Sequence, residues 1–131
     1  KMDEFRNKAI ETKDAIVKFI NECKEKNITV VGFGAPAKGN TFMNYSKIKP
    51  KFIIDETPLK RNKYTPGMTV SIEGLDGFDN IESQPTVCFV IFAWNFYDEI
   101  KSKIIRQRSL FPGLGEKNDI FVSYFPKVKI E

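Results

Sequence analysis

One segment of the sequence constrains the fold more than any other, a short β-branched run that leads directly into a glycine-bearing turn. The run is Ile28 to Phe33 and the turn is Gly34 to Asn40. Such a run is typical of a strand buried in a parallel sheet. A glycine turn between a strand and a helix lets backbone N–H groups approach a phosphate or a ribose. The segment therefore predicts the first strand of an α/β domain, with a ligand site at its end.

The rest of the chain alternates helix-like and strand-like segments around this unit. Apolar residues from Phe5 to Cys23 recur at helical spacing and predict a first helix to about Lys26, ended by Asn27 in the left-handed conformation. Further strands are predicted at Lys51–Ile54, Met68–Ile72, Thr86–Phe92 and Ile120–Ser123. This alternation predicts a Rossmann-like three-layer α/β sandwich, with a mostly parallel sheet of about four to five strands.

Two shorter helices complete the prediction. One runs from Thr41 to Tyr45, and the other is capped by Asn95 and buries Phe96, Ile100 and Ile104. We assign residues 1–26 to an N-terminal helix that either connects to another domain or covers the sheet. Residues 27–131 form the Rossmann-like domain.

Length and composition fit one domain. The chain has 131 residues, of which 41% are hydrophobic and 29% charged, a globular mix that excludes disorder. The absence of His removes a Ser-His-Asp triad, a Cys-His pair and a His-based zinc site. Twelve Phe are a heavy aromatic load, and we expect part of it to face a partner.

Charge and cysteine usage narrow the partners. The net charge of +4 comes from scattered residues, so we expect no nucleic-acid partner but a mild attraction for anionic ligands. Cys23 and Cys88 are predicted to be buried free thiols, which implies a reducing compartment. No apolar run is long enough for a membrane span, and the charged residues after Lys1 are unlike the apolar region of a secretory signal, so we expect a soluble cytoplasmic protein.

Candidate ligand contacts follow the first two predicted strands. Asp55 lies about 20 residues after Gly34, the position from which an acidic side chain accepts hydrogen bonds from ribose hydroxyls. Lys38, Gly39 and Asn40 lie at a helix N-terminus, a setting that suits a diphosphate. Two alternatives remain open: a turn that needs glycine only for its backbone, and an aspartate that is solvated or caps the following loop.

A basic loop and a later strand end supply further candidates. Within the loop from Glu56 to Gly67, Thr57, Lys60 and Tyr64 offer hydroxyls and positive charge at the carboxyl edge of the sheet. Asn95 follows the most hydrophobic strand and brings an amide to the same edge. The alternatives are a solvated basic loop and an asparagine that serves only as a helix cap.

Four blocks of sequence resemble a known family. They are Gly32–Thr41, Asp55–Lys60, Tyr64–Gly67 and Ala93–Asn95. In this order, over nearly the whole chain, they resemble the C-terminal domain of the S-adenosylmethionine-dependent sugar C-methyltransferases. Members of that family have an N-terminal zinc-binding cysteine-rich domain, a middle methyltransferase domain and a Rossmann-like C-terminal domain.

The resemblance implies a role in substrate binding rather than in catalysis. It implies that the chain holds a nucleotide-linked deoxysugar, whose ring carbon an upstream methyltransferase domain methylates, and that this chain alone is not catalytic. No catalytic residue or metal ligand is assigned here, and S-adenosylmethionine and zinc are expected in the upstream domains. The chain begins Lys1-Met2, and we expect a fragment of a longer protein, with a free-standing relative as the other possibility.

Two other classes of function remain as alternatives. The chain is a non-enzymatic module, in which the glycine turn and basic loop bind a nucleotide or dock another domain, or it is a small nicotinamide-dependent oxidoreductase. The glycine spacing G-x-G-x-x-x-x-G departs from the strict dinucleotide pattern, and no proton-transfer residue is apparent. These two observations disfavour the oxidoreductase.

Overall fold

The computed structural model describes residues 2–34, 43–56, 63–64, 70–109, 118–123 and 129–131; for residues 2–10, 12, 63, 64 and 94 it describes the backbone alone. The helices are α1 (Met2–Glu25), α2 (residues 43–46) and α3 (Tyr97–Arg108), with 3-10 helices at Leu75–Ile81 and Trp94–Phe96. The strands are β1 (Thr29–Phe33), β2 (Phe52–Ile54), β3 (Lys63–Tyr64), β4 (Ser71–Glu73), β5 (Val87–Ile91), β6 (Ile120–Ser123) and β7 (Lys129–Ile130).

Within the described residues, the strands form one sheet in the order β3-β4-β2-β1-β5-β6-β7. Neighbours from β4 to β6 are parallel, whereas β3 and β7 are antiparallel strands at the two edges. The prediction of a mostly parallel, Rossmann-like sheet is confirmed. The edge strands were not predicted, because two residues are too few to show a period-2 pattern.

The first strand is set up by the end of α1. Asn27 has a φ of 60°, and the next N–H, of Ile28, donates to the carbonyl of Cys23 at 2.9 Å. The left-handed residue reverses the chain and satisfies a carbonyl of the last helical turn. The prediction that Asn27 ends the first helix is confirmed, and the strand begins two residues later at Thr29.

Alternate residues of the central strands pack on opposite faces of the sheet, which gives the three layers. On the face that α1 and α2 cover, Val30 and Val90 lie against Ile16, Ile20 and other buried residues of one cluster. The opposite face is covered by the 3-10 helix Leu75–Ile81 and by α3. Its buried residues are Val31, Phe33, Phe52, Ile54, Phe78, Ile81, Val87, Phe89, Ile91, Tyr97, Ile100, Ile104 and Phe121.

Most of the described phenylalanines belong to this second face. The ring centroids of Phe33 and Phe78 are 6.4 Å apart, those of Phe78 and Phe89 6.2 Å, and those of Phe89 and Phe121 5.9 Å. A row of touching rings therefore crosses the sheet beneath α3, and the aromatic load is largely a core feature. Among the phenylalanines whose side chains the structure describes, Phe96 alone is exposed, by 53%.

None of the described helices combines the length and the apolar character that a membrane-spanning helix needs.

Candidate functional site

The strand order reverses between β1 and β5, and this reversal defines the candidate site. Taken in chain order, the parallel strands have the arrangement 3-2-1-4-5, which is that of a Rossmann-like fold. In such sheets, ligands bind beyond the carboxyl ends of the strands on either side of the reversal. Gly34 follows β1 at this edge, Asp55 follows β2, and Asn95 lies shortly after β5.

Gly34 begins the turn after β1 in a conformation that favours glycine. Its φ is 81°, and its N–H donates to the carbonyl of Ile54 at 2.8 Å. The left-handed backbone lets the chain leave the sheet immediately after the strand. Glycine is therefore required at position 34 because of its backbone conformation. The contact of Gly34 with a ligand stays a prediction.

Gly32, the other glycine of the motif within the described residues, is needed for packing. A Cβ atom at this position would lie 2.5 Å from Cε2 of Phe92 and 3.0 Å from Cγ1 of Ile53. Phe92, at the end of β5, can therefore approach β1 only because residue 32 has no side chain. This glycine shapes the strand pair beneath the turn, which the sequence motif alone does not show.

Asp55 is buried at the end of β2, with 7% of its surface exposed. Its N–H donates to the carbonyl of Glu73 at 2.8 Å, which extends the sheet by one residue beyond β2. Burial argues against the alternative of a solvated strand end, because a carboxylate is rarely buried without a role for its oxygens. Its hydrogen bonds to a ribose stay a prediction.

Glu56, the residue after Asp55, is exposed and makes a different contact. Its Oε1 lies 2.6 Å from Nζ of Lys103 on α3, and both side chains are about 40% exposed. The buried Asp55 and the exposed Glu56 are therefore in different environments and do not form a carboxylate pair that could share acid and base roles.

The helix after β5 begins later than predicted. α3 starts at Tyr97 with Phe96 as its N-cap residue and no side-chain capping hydrogen bond, so the prediction that Asn95 caps it is wrong. Asn95 lies instead in the preceding 3-10 helix and is exposed. The N-cap is one residue later than predicted. The helix buries Tyr97, Ile100, Ile104 and Arg108, so the predicted burial of Ile100 and Ile104 is confirmed and that of Phe96 is wrong. The amide of Asn95 is thereby left at the surface of the carboxyl edge.

The remaining predicted contacts lie outside the described side chains. Lys38, Gly39, Asn40, Thr57 and Lys60 are outside the described residues, and Tyr64 is described only as a backbone position of β3, paired with Ser71.

The sequence did not predict a buried ion pair at the amino ends of the parallel strands, on the side of the sheet opposite to the candidate site. Arg108 donates from Nε to Oδ2 of Asp119 at 2.9 Å and from Nη2 to Oδ1 at 3.0 Å, and it also donates to the carbonyls of Ile81 and Gln84. Asp119 Oδ1 accepts from the N–H of Val87 at 3.0 Å. The available signal was an arginine four residues after Ile104, on the apolar stripe of α3. The ion pair joins α3 to the amino ends of β5 and β6, far from the crevice, and we therefore assign it a structural role.

A metal does not fit the described residues. Among them, no group of three or more His, Cys, Asp or Glu is placed to hold an ion.

The fold defines the class first: a Rossmann-like α/β domain with its reversal of strand order beside Gly34. A family model described as the C-methyltransferase C-terminal domain matches residues 1–110, from the first helix through α3. The chain therefore belongs to the family of C-methyltransferase C-terminal domains, and the predicted resemblance is confirmed. No curated protein matches the chain.

Proposed function

We propose that this domain holds the nucleotide-sugar substrate of an S-adenosylmethionine-dependent sugar C-methyltransferase, in the crevice at the carboxyl ends of β1 and β5. The observation that carries the proposal is the reversal of strand order at this point, since open α/β sheets bind ligands there. Membership of the C-methyltransferase C-terminal domain family supplies the class of enzyme. The left-handed φ of Gly34 supports the crevice as the site, because glycine lets the chain leave the sheet directly at the end of β1.

Each candidate residue has a chemical role in this proposal. Backbone N–H groups after Gly34, with Lys38, Gly39 and Asn40, hold the diphosphate, whose charge the basic chain favours. Asp55 accepts from the ribose. The hydroxyls of Thr57 and Tyr64 and the ammonium group of Lys60 bind the sugar side of the ligand. The exposed amide of Asn95 forms hydrogen bonds with a polar edge of the ligand.

The proposal assigns the domain orientation rather than bond-making. A ring carbon is methylated efficiently only when it is held in line with the methyl donor and the base. S-adenosylmethionine, zinc and the base belong, in this proposal, to other domains of the enzyme.

A thermal-shift comparison tests the proposal. We expect dTDP to raise the melting temperature of the chain, because a ligand that binds only the folded state stabilises it, and we expect S-adenosylmethionine to have no effect. Lys38→Gln should reduce the dTDP effect, whereas Lys18→Gln, which removes an exposed charge on α1, should leave it intact. Stabilisation by S-adenosylmethionine but not by dTDP would overturn the proposal.

One observation favours docking of another domain as a second candidate function. Phe96 is 53% exposed at the same edge as the crevice, where a neighbouring domain would bury it. In the full-length enzyme, Phe96→Ser should then loosen the packing of the domains, measured by limited proteolysis, and leave dTDP affinity unchanged. A loss of dTDP affinity with intact packing would instead assign Phe96 to the ligand site.

A further inference from the structure

A cavity lies at the amino ends of the parallel strands, where β1 begins. It has a volume of about 300 Å³ and lies between the end of α1, the start of β1 and the segment that leads into β2. Its polar lining consists of Lys24, Asn27, Thr29, Lys49 and Lys51. Since β1 rises by about 3.3 Å per residue, roughly 16 Å separates this cavity from the turn at Gly34. We call it the lysine cavity.

The lysine cavity concentrates positive charge. Lys24 donates from Nζ to the carbonyl of Lys49 at 3.2 Å, which brings one ammonium group to the segment that carries the other two. Within the part of the chain that the structure describes, no carboxylate pairs with Lys24, Lys49 or Lys51, and no Asp or Glu lines the cavity. Like charges held together without a counter-charge favour the binding of an anion.

The fold fixes the two lysines that precede β2. The N–H of Lys51 donates to the carbonyl of Val30 at 2.8 Å, so this segment is tied to β1 before the strand pairing begins. Lys49 and Lys51 are exposed, whereas Pro50 between them and Ile48 before them are buried. The alternation turns both lysines to the same side, as in an extended strand. The backbone positions of both lysines are therefore set before any ligand arrives, which lowers part of the entropic cost of binding.

Hydrogen bonds at the end of α1 reduce its opposition to an anion at this place. A helix C-terminus carries partial negative charge on its free carbonyl groups. Here the carbonyls of Glu22, Cys23 and Lys24 accept from the N–H groups of Lys26, Ile28 and Asn27, respectively, at 2.9–3.1 Å. Each of these carbonyls therefore already has a donor. The side chains of Asn27 and Thr29 add neutral hydrogen-bond donors to the lining.

We propose that the lysine cavity is a binding site for a phosphorylated small molecule, with the diphosphate group as the part that is recognised. Ammonium groups bind phosphate as point charges and tolerate several orientations of the ligand. No aromatic side chain is among the residues that line the described cavity, so it offers charge to a phosphate but no ring on which a base could stack. The site is separate from the crevice proposed for the nucleotide sugar.

Backbone amide NMR of the 131-residue chain, titrated with inorganic diphosphate, tests this site. We expect saturable shifts at Asn27, Thr29 and Lys51. The double substitution Lys49→Gln and Lys51→Gln should raise the dissociation constant by about tenfold, because two charged contacts are lost. The matched control, Lys18→Gln with Arg106→Gln, removes the same charge from exposed positions elsewhere and should leave the dissociation constant within about twofold.

Several outcomes separate this site from the alternatives. The same titration with dTDP should move the same amides, since the shared diphosphate is recognised, and these shifts should persist in Lys38→Gln. Shifts that appear only near Gly34, or that grow linearly without saturation, would overturn the proposal. Equal weakening by the two double substitutions would also overturn it, because net charge alone would then explain the binding. Retention of the amide spectrum in both variants shows that they are folded.

Discussion

At the scale of single residues, the two described glycines of the motif have different physical roles. Gly34 provides a backbone conformation, with a φ of 81°, whereas Gly32 provides space for Phe92. The sequence predicted a backbone need for glycine after β1, and the φ of Gly34 confirms it at that residue. The sequence did not separate these roles, because the close approach of Phe92 depends on the register between β1 and β5, which pairs Gly32 with Val90.

The packing role of Gly32 predicts a specific loss of stability. Gly32→Ala should reduce the free energy of unfolding by about 1–3 kcal/mol, because the added Cβ overpacks the strand pair. Gly77→Ala is the matched control. Its Cβ would meet neighbours at 3.2–3.3 Å rather than 2.5 Å, so the cost should be clearly smaller. Chemical denaturation measures both, and equal losses in the two variants would contradict the role assigned to Gly32.

At the scale of elements, the sequence predicted the buried elements better than their ends. The strand that ends at Phe92 was recognised because its residues are continuously apolar, and α1 was recognised because its apolar residues recur at helical spacing. The start of α3 was misplaced, since Asn95 is a good capping residue by type but lies in a 3-10 helix in the structure. Local propensity cannot reveal that Tyr97, rather than Phe96, turns into the core.

The ion pair between Arg108 and Asp119 was also beyond sequence reasoning. Its partners come from α3 and from the residue before β6, and only the sheet order brings them together. Both side chains are nearly fully buried, with 2% and 6% exposed. A buried ion pair contributes little over apolar packing, but the loss of one partner leaves an uncompensated charge.

This asymmetry predicts the result of a double-mutant cycle. Asp119→Ala should reduce the free energy of unfolding by about 3–5 kcal/mol, because Arg108 is then buried without a counter-charge. Adding Arg108→Met should cost less than the sum of the single changes. Glu56→Gln, which breaks the exposed pair with Lys103, should change stability by only about 0–1 kcal/mol. Additive effects at Arg108 and Asp119 would contradict the coupling.

At the scale of the whole molecule, two buried thiols and one buried tyrosine hydroxyl make the stability of the fold depend on pH in the alkaline range. Burial raises the pKa of the Cys88 thiol. Burial also raises the pKa of the Cys23 thiol, and a hydrogen bond from Cys88 offsets part of that increase. Burial, together with the hydrogen bond from its hydroxyl to Glu131 at 2.7 Å, raises the pKa of Tyr97. The folded state therefore holds these protons more tightly than the unfolded chain does.

The sign of the pH dependence follows from these shifts. A group whose pKa is raised in the folded state stabilises the fold below its unfolded pKa, and this contribution is lost as the pH rises further. The ordinary values are 9.0 for the thiols and 10.0 for the tyrosine, so the melting temperature should begin to fall above about pH 9. Tyr97→Phe should remove the part of the decline that begins near pH 10. A melting temperature that is constant to pH 11 would contradict this account.

The whole fold also shows how far the candidate site could be foreseen. Gly34, Asp55 and Asn95 were expected at one edge because the carboxyl ends of parallel strands share an edge, and the structure places all three there. The burial of Asp55 and the lysine cavity at the other edge were not foreseen. Both depend on how α1, β4 and the segment before β2 meet the sheet, and no local pattern reports such contacts.

A crystal structure of the chain with dTDP would show directly whether the crevice beside Gly34 holds the nucleotide. We expect electron density for the nucleoside and its diphosphate at the carboxyl ends of β1 and β5, with the diphosphate beside Gly34. Density for a second diphosphate in the lysine cavity would be compatible with this result. At saturating dTDP, an empty crevice beside Gly34 would contradict the claim.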